Sequence, residues 1–413
     1  MTGIHVLGVG SLGTLVTHHI RLSNPCLPIT LLLRDPSTFP KTIRVTREGI
    51  ESSSSNYDLG PSSSTPKSGE GDIESLLVTL KAPQTLSAIK PLVPRLRPNS
   101  VISLLQNGLG TYQALCSEVF PDPETRPYFI LGTTAHGVAP NTSTSSGAGL
   151  GGKGDVKHHT ARGQGHIKWG VCPDPRARDG SLNLEKWIWR SCSPDANDCA
   201  DAELKLNSNR SASGLVGVDL AKLEVPTDRA DLTSLRDTLR ALTSTAELNA
   251  TLLPINEVDR AMLLKVAINA TINPLTAILG RGVLPNGSLS TIEPSGPSLL
   301  DALVGEISVI LLAHFDRQSG DGSTQQRTDA GAEEEEEGRQ MFEYNHLRKL
   351  IQGIIEETAG NTSSMAVDVR EKRGTEIEFI NGYLVRLGEE LGVPTVVNRL
   401  VCDMVRFISA SQR

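Results

Sequence analysis

The sequence predicts an α/β domain built on a parallel sheet, followed by an all-α domain. Three observations carry this. A short apolar strand at the N-terminus runs directly into a glycine-rich turn and an amphipathic helix. Apolar runs of strand length then recur as far as Val171, each closed by polar or glycine residues. Beyond Leu252 every periodic segment reads as helix. A chain of 413 residues exceeds one typical core. The boundary is expected near Leu252–Asn256, dividing the chain into 1–252 and 253–413.

Gly3–Leu7 is the first strand. Gly8, Val9, Gly10, Ser11, Leu12 and Gly13 follow as G-x-G-x-x-G, ahead of a helix to about Leu22. In this pattern the first glycine makes a tight turn and the second lets backbone approach a pyrophosphate. The third lets the helix pack on the sheet, and the helix N-terminus offers amide donors to phosphate. Placed between strand and helix, the motif points to a Rossmann-like, dinucleotide-binding domain. The second strand, Ile29–Leu33, ends at Arg34, roughly 20 residues past Gly13, where such a fold reads the adenosine ribose. A guanidinium there pairs with a 2′-phosphate and selects NADP, whereas an acid accepts from a 2′-hydroxyl and selects NAD. Arg34 directly ends the apolar run and favours NADP(H). Asp35 beside it leaves the strictness of that preference open.

Three later strands end in polar tips. Ile73–Leu80 leads to Lys81, Val101–Leu105 to Gln106 and Asn107, and Tyr128–Thr134 to His136. The carboxyl ends of parallel strands line the ligand crevice of an open α/β sheet, so these tips are expected at the site. Taken singly they also read as a surface lysine, an Asn-Gly turn and a helix-capping histidine. Ser52–Gly71 reads as a surface loop, and the Ser/Gly-rich Asn141–Gly165 as a disordered insertion. His158–His159 within it is read as a solvated loop rather than a ligand pair. His166–Val171 is one more strand, Pro173–Ala212 a second polar region, and Leu232–Ala246 a helix.

The net charge of −7 argues against a general nucleic-acid partner. No apolar run is read as approaching the roughly 20 residues of a membrane span, and no leader is visible. The expectation is a soluble, cytoplasmic protein acting on a small molecule, with no nucleic-acid or membrane partner. A homodimer remains open. The six cysteines are scattered, none at zinc or redox spacing, and are read as reduced with no metal role.

In the second half, Met262–Leu279 is apolar and helix-forming, but Lys265, Asn269 and Asn273 recur every four residues. Steps of four on a helix drift by only about 40°, so the three form one polar stripe. Such groups are too costly to bury unpaired, so the stripe faces a partner helix or a cleft. Pro274 predicts a break or kink after Asn273. Further helices are expected at Pro297–Phe315, Met341–Thr358, Thr375–Leu391 and Thr395–Ala410. The acidic Asp316–Arg339, with its run Glu333–Glu337, reads as a solvated insertion.

In this order the motifs resemble those of the ketopantoate reductase (2-dehydropantoate 2-reductase) family. The matching pieces are GVGSLG, LVTLKAPQT around Lys81, QNGLGT around Asn107 and GTTAH around His136. KVAINATINPLTA from Lys265, PNG at Asn286 and SSM…GTEIEFING from Ser363 follow. The resemblance covers both domains outside the low-complexity insertions. It implies a C-terminal helical domain like that of 6-phosphogluconate dehydrogenase, and the reduction of 2-dehydropantoate by NADPH to (R)-pantoate. It also implies residue roles. Gly8 to Gly13, Arg34, Lys81, Asn107, Val138 and Glu376 would hold NADP(H). Asn107, Asn269, Asn273, Asn286 and Ser364 would bind substrate, while Lys265 donates the proton and Glu376 completes the site. The cleft between the two domains would close on the substrate. A related 2-keto or 3-hydroxy acid reductase, or a non-catalytic NADP(H)-sensing protein, remains the alternative.

Overall fold

The computed structural model describes residues 2–62, 71–141, 153–176, 183–192, 219–280, 283–320 and 336–411. The chain divides into two units. One comprises Met1–Gln106 and Tyr112–Val258, the other Asn107–Thr111 and Asp259–Arg413.

The first unit begins with β1 (Ile4–Leu7), α1 (Ser11–Ser23), β2 (Ile29–Leu33), β3 (Ile43–Arg47), β4 (Ile50–Ser54) and β5 (Asp58–Pro61). It continues with β6 (Ser75–Val78), α2 (Ala82–Ile89), β7 (Val101–Leu105), α3 (Thr111–Glu118), β8 (Tyr128–Thr134), β9 (Val138–Pro140) and β10 (Asp155–His158). Last come β11 (Ile167–Val171), α4 (Leu184–Cys192), α5 (Thr233–Thr243) and β12 (Ala250–Leu252). The main sheet runs β12-β11-β8-β7-β6-β1-β2-β5. From β5 to β8 all pairings are parallel, and β11 joins β8 antiparallel. Strand order reverses between β1 and β6, which is where an open α/β sheet presents its crevice. β6, β7 and β8 are buried along their whole length, which explains their mostly apolar sequence.

A second sheet, β4-β3-β10-β9, corrects two expectations. Ser52–Gly71 is not simply a loop, since β4 ends and β5 lies within it. Its serines pair because they face a buried histidine. Ser54 Oγ and Ser52 Oγ each lie 2.7 Å from a ring nitrogen of His18. The inserted Asn141–Gly165 also carries strand β10, and His158 is buried on it rather than solvated. Residues 142–152 lie outside the described set.

The second unit is helical: α6 (Ile255–Leu279), which enters it at Asp259, α7 (Ser288–Thr291), α8 (Ser295–Gly320), α9 (Tyr344–Glu357), α10 (Ser364–Arg370), α11 (Asn381–Leu391) and α12 (Val396–Ser411). Its apolar core is filled from α6, α8, α9 and α11, for example by Ala267, Ala270, Ile307, Ile351 and Leu384. α6 and α8 are long and apolar enough to cross a membrane, contrary to the reading that no segment approaches that length. Both contribute buried residues to the helical core.

Pro274 does not interrupt α6, which runs unbroken past it to Leu279. A helical proline leaves the carbonyl four residues earlier without its amide donor. Here that carbonyl, Ala270 O, accepts from Asn381 Nδ2 at 2.8 Å. The expected helix Thr375–Leu391 in turn starts later, as a 3₁₀ turn at Ile377–Phe379 followed by α11. The acidic run at 333–335 falls outside the described residues.

Candidate active site

The glycine turn connects β1 to α1. Gly8 has φ +106°, and a Cβ there would stand 2.6 Å from the Leu80 amide nitrogen. A Cβ on Gly13 would stand 2.2 Å from Gly8 O, so only hydrogen permits this approach of helix to strand. Thr79 Oγ1 donates to Gly8 O at 2.6 Å and ties the turn to the strand-end segment after β6. Gly10 differs from both: it is exposed, and nothing lies within 4 Å of where its Cβ would be. Among the described residues no side chain caps α1 and no acid stands in its first turn. Open backbone and uncapped amides suit a pyrophosphate. Val9 and Leu12 pack their side chains against the apolar core below the turn.

Arg34 is exposed one residue beyond β2. Asp35, which blurred the reading of this position, is engaged locally. Its Oδ1 accepts from Ser37 N at 3.0 Å and Ser37 Oγ at 2.6 Å, and these bonds lower its pKa. Lys81 stands at the N-cap of α2, three residues beyond the end of β6 rather than at the strand tip. Gln106 turns inward, its Nε2 donating to Leu80 O at 2.6 Å and to Thr85 Oγ1. His136 is not an open strand tip. Its Nε2 lies 2.9 Å from Leu248 O, and its Nδ1 lies 3.1 Å from His158 Nε2, so both nitrogens are used inside the fold. Val138 begins β9 opposite His158 and is half-buried.

The helical unit gathers the other residues. Lys265 and Asn269 are half-buried on α6, and Asn273 is buried one turn further on. Burial holds the Lys265 ammonium down at about 8 from the usual lysine 10.5, while the Glu376 carboxylate works against that fall. Glu376 is itself buried, immediately before the Ile377–Phe379 turn. Asn107 clusters with this unit, and the loop it opens is fixed there by Leu109 N donating to Phe379 O at 2.8 Å. Gly108, at φ +84°, allows the contact, since a Cβ would stand 2.5 Å from that same oxygen. Asn286 donates through Nδ2 to Thr358 Oγ1 at 3.0 Å. Its Oδ1 is buried with no hydrogen-bond partner among the described residues. Ser364 is exposed at the start of α10, and its neighbour Ser363 caps that helix through Ala366 N at 3.1 Å. Thr276 Oγ1 meets Ser363 Oγ at 2.7 Å and donates to Asn273 O, so the start of α10 is fastened to α6 beside Asn273.

Residues 4–174 match the family described as ketopantoate reductase PanE/ApbA, and residues 257–409 match ketopantoate reductase PanE/ApbA C terminal. The chain belongs to the ketopantoate reductase family. Membership of this family makes it an oxidoreductase. The 2-dehydropantoate 2-reductase of Saccharomyces cerevisiae is 25% identical over 401 residues, covering 94% of this chain and 89% of that one. The enzyme of that name from Vibrio cholerae is 24% identical over 339 residues, covering 81% and 78%. Among solved structures, a PanE/ApbA family ketopantoate reductase from Ralstonia eutropha superimposes with TM-score 0.58 at 18% identity, covering 100% of this chain and 99% of that one. A D-mandelate dehydrogenase with NADH and anilino(oxo)acetate gives TM-score 0.60 at 16% identity, covering 99% of each. At such identities these structures show a shared fold.

Sequence reasoning did not see the bonds that fasten the segments carrying these residues, although it had placed Gln106 at a strand tip. Asn381, Ser363, Thr276 and Gln106 each bond to backbone or hydroxyl groups distant in sequence. The only signal for Asn381 was its position inside the EFING motif, five residues after Glu376.

Proposed function

We propose that the chain reduces 2-dehydropantoate to (R)-pantoate with NADPH, on the route to pantothenate and coenzyme A, with Lys265 as proton donor. The supporting observation is the Lys265 ammonium, drawn down to about 8 by burial and opposed by Glu376, on the same helix face as Asn269 and Asn273. Hydride addition to a ketone leaves an alkoxide, which needs a nearby proton and oriented donors. An ammonium of pKa near 8 is still charged at neutral pH, so it can polarise the carbonyl oxygen. It is also acidic enough to deliver its proton as the alkoxide forms. Glu376 holds the ammonium in its charged form. Asn269 and Asn273 offer amide donors and acceptors to the hydroxyl and carboxylate of the substrate, and Asn286 and Ser364 extend that set. Asn107, in the loop fixed to Phe379, contacts both cofactor and substrate in this reading.

Bound NADPH supplies the hydride. The turn from Gly8 through Val9, Gly10, Ser11 and Leu12 to Gly13 would hold its pyrophosphate, and Lys81 and Val138 would also hold the cofactor. Glu376 serves the cofactor side as well as the lysine. The preference for NADPH rests on Arg34, exposed where the ribose is read, while the Asp35 carboxylate caps the following turn. The reading includes a cytoplasmic protein with a small-molecule substrate, no nucleic-acid or membrane partner, and a homodimer as an open assembly.

The test is NADPH oxidation followed at 2-dehydropantoate concentrations matched to those of shorter 2-keto acids, with NADH in parallel. The reading expects the highest kcat/KM for 2-dehydropantoate with NADPH. Preference for another keto acid reassigns the substrate. Turnover of none of them leaves an NADP(H)-binding protein without catalysis. Arg34→Ala should lower kcat/KM for NADPH and leave that for NADH little changed. An unaltered ratio would place ribose recognition elsewhere.

A further inference from the structure

Pro274 falls inside the helix that carries Lys265, Asn269 and Asn273, within its last two turns and directly after the last of them. With no amide hydrogen, it cannot bond the carbonyl of Ala270, one turn back and between Asn269 and Asn273 in sequence. An unpaired carbonyl in a buried helix is rare, and the helix would bend away to solvate it. Instead Ala270 O accepts from Asn381 Nδ2 at 2.8 Å, and Asn381 is fully buried.

The orientation of that amide is fixed from outside. Glu306 on α8 takes the first free amides of α12, with Val397 N donating to Oε2 and Asn398 N to Oε1, both at 2.8 Å. Asn398 Nδ2 also donates to Glu306 Oε1 at 2.8 Å. A carboxylate accepts only, so it turns the NH₂ of Asn398 towards itself and the Oδ1 of Asn398 away. That oxygen then accepts from Asn381 Nδ2 at 3.0 Å, leaving the second hydrogen of the same NH₂ for Ala270 O. Both hydrogens of Asn381 are committed, and its amide cannot flip without losing both bonds. Asn381 is also the first residue of α11, joined to Glu376 by the Ile377–Phe379 turn.

We propose that Asn381 is a positioning residue, whose amide replaces the helix hydrogen bond that Pro274 removes and so locks the Lys265–Asn273 face of α6 to the segment bearing Glu376. The assignment of that face as the reacting one rests on the function proposed above; the lock itself does not. Proline is tolerated at this point because a donor from another element stands in for its amide. That donor is carried on the segment whose carboxylate must meet the lysine.

The proposal makes Asn381 and Pro274 interdependent, since an alanine at 274 would restore an amide hydrogen four residues from Ala270 O. Wild type, Asn381→Ala, Pro274→Ala and the double variant are compared by two readouts. The first needs no turnover: acetylation of Lys265 by acetic anhydride, followed across pH by mass spectrometry, reports the lysine's titration. The second is kcat for NADPH oxidation with 2-dehydropantoate. Asn381→Ala should displace the Lys265 titration and lower kcat by about 10- to 100-fold, the cost of misplacing a reacting group by about an ångström. The KM for NADPH should stay unchanged. Adding Pro274→Ala should recover most of both effects. A purely structural role for Asn381 at the start of α11 would not be rescued by a change on α6.

The proposal is overturned if Asn381→Ala leaves the titration at its wild-type position, or if the double variant is no better than the single one. Should Asn381→Ala fail to fold, Asn381→Asp, of equal shape but lacking the donors, carries the same comparison. Failure of both doubles to fold also overturns the proposal, because the restored amide would then not have replaced Asn381. If wild type oxidises no NADPH with this substrate, the functional reading falls, and the lysine titration alone still decides the lock.

Discussion

Lys265 is pulled in two directions. Burial disfavours its charge and brings the pKa down to about 8, while the carboxylate of Glu376 favours it. In the proposed role the lysine must be protonated to donate, so the sign is set: kcat should be steady below about pH 8 and fall about tenfold per unit above it. Glu376→Gln removes the carboxylate that holds the pKa up, so the alkaline limb should move to lower pH. A kcat–pH profile on both proteins checks this, and a limb that stays put would detach Glu376 from the lysine. The spacing of Lys265, Asn269 and Asn273 was readable from the sequence because all three lie on one helix. Glu376 was not readable in that way. A lone acid in a polar stretch has no periodicity, and only resemblance pointed to it. Asn381 carried still less signal, since its acceptor lies 111 residues away in the chain.

The same distinction holds for elements. The β1–turn–α1 unit is local, so its glycines state their purpose in sequence order. They also divide into two kinds. Gly13→Ala drives a methyl into Gly8 O and should lower both thermal stability and NADPH binding. Gly10→Ala meets no protein atom and should weaken NADPH binding with the melting temperature little changed. Melting curves with and without NADPH separate the two, and a large loss of stability from Gly10→Ala would refute the division. The second sheet was invisible because its polar strand residues pair with buried histidines rather than with solvent. Burial, above all, holds His18, His19 and His158 at about 4, 3 and 4. These lie below the unfolded value of 6.5, so in that window the unfolded chain binds more protons. Stability is therefore full above about pH 6.5 and is lost as the pH falls towards 4, by about 1.4 kcal/mol per unit for each histidine. Thermal melts at pH 7 and pH 5 should show this loss, and His158→Gln should shrink it. An equal loss in the variant would take His158 out of the explanation.

Over the whole molecule, α/β followed by all-α was legible because strand-length apolar runs stop at a single place, beyond which every periodic segment reads as helix. In the chain the two units divide at Val258–Asp259. The assignment of Asn107–Thr111 to the helical unit was not legible, because it depends on contacts far away in the chain, among them the bond from Leu109 N to Phe379 O and the packing of Leu109 on the helical core. Its consequence concerns how function is distributed. The glycine turn, Arg34, Lys81 and Val138 belong to one unit. Lys265, Glu376 and Asn107, together with Asn269, Asn273, Asn286 and Ser364, belong to the other. Removing the lysine should thus disable the chemistry and spare most of the cofactor site. The most direct measurement pairs NADPH affinity, by fluorescence titration, with the rate of NADPH oxidation on 2-dehydropantoate, in wild type and Lys265→Ala. The prediction is an affinity within about twofold of wild type and a kcat lower by about 10²- to 10⁴-fold, the range general-acid catalysis supplies. A Lys265→Ala protein that turns over near the wild-type rate would contradict it.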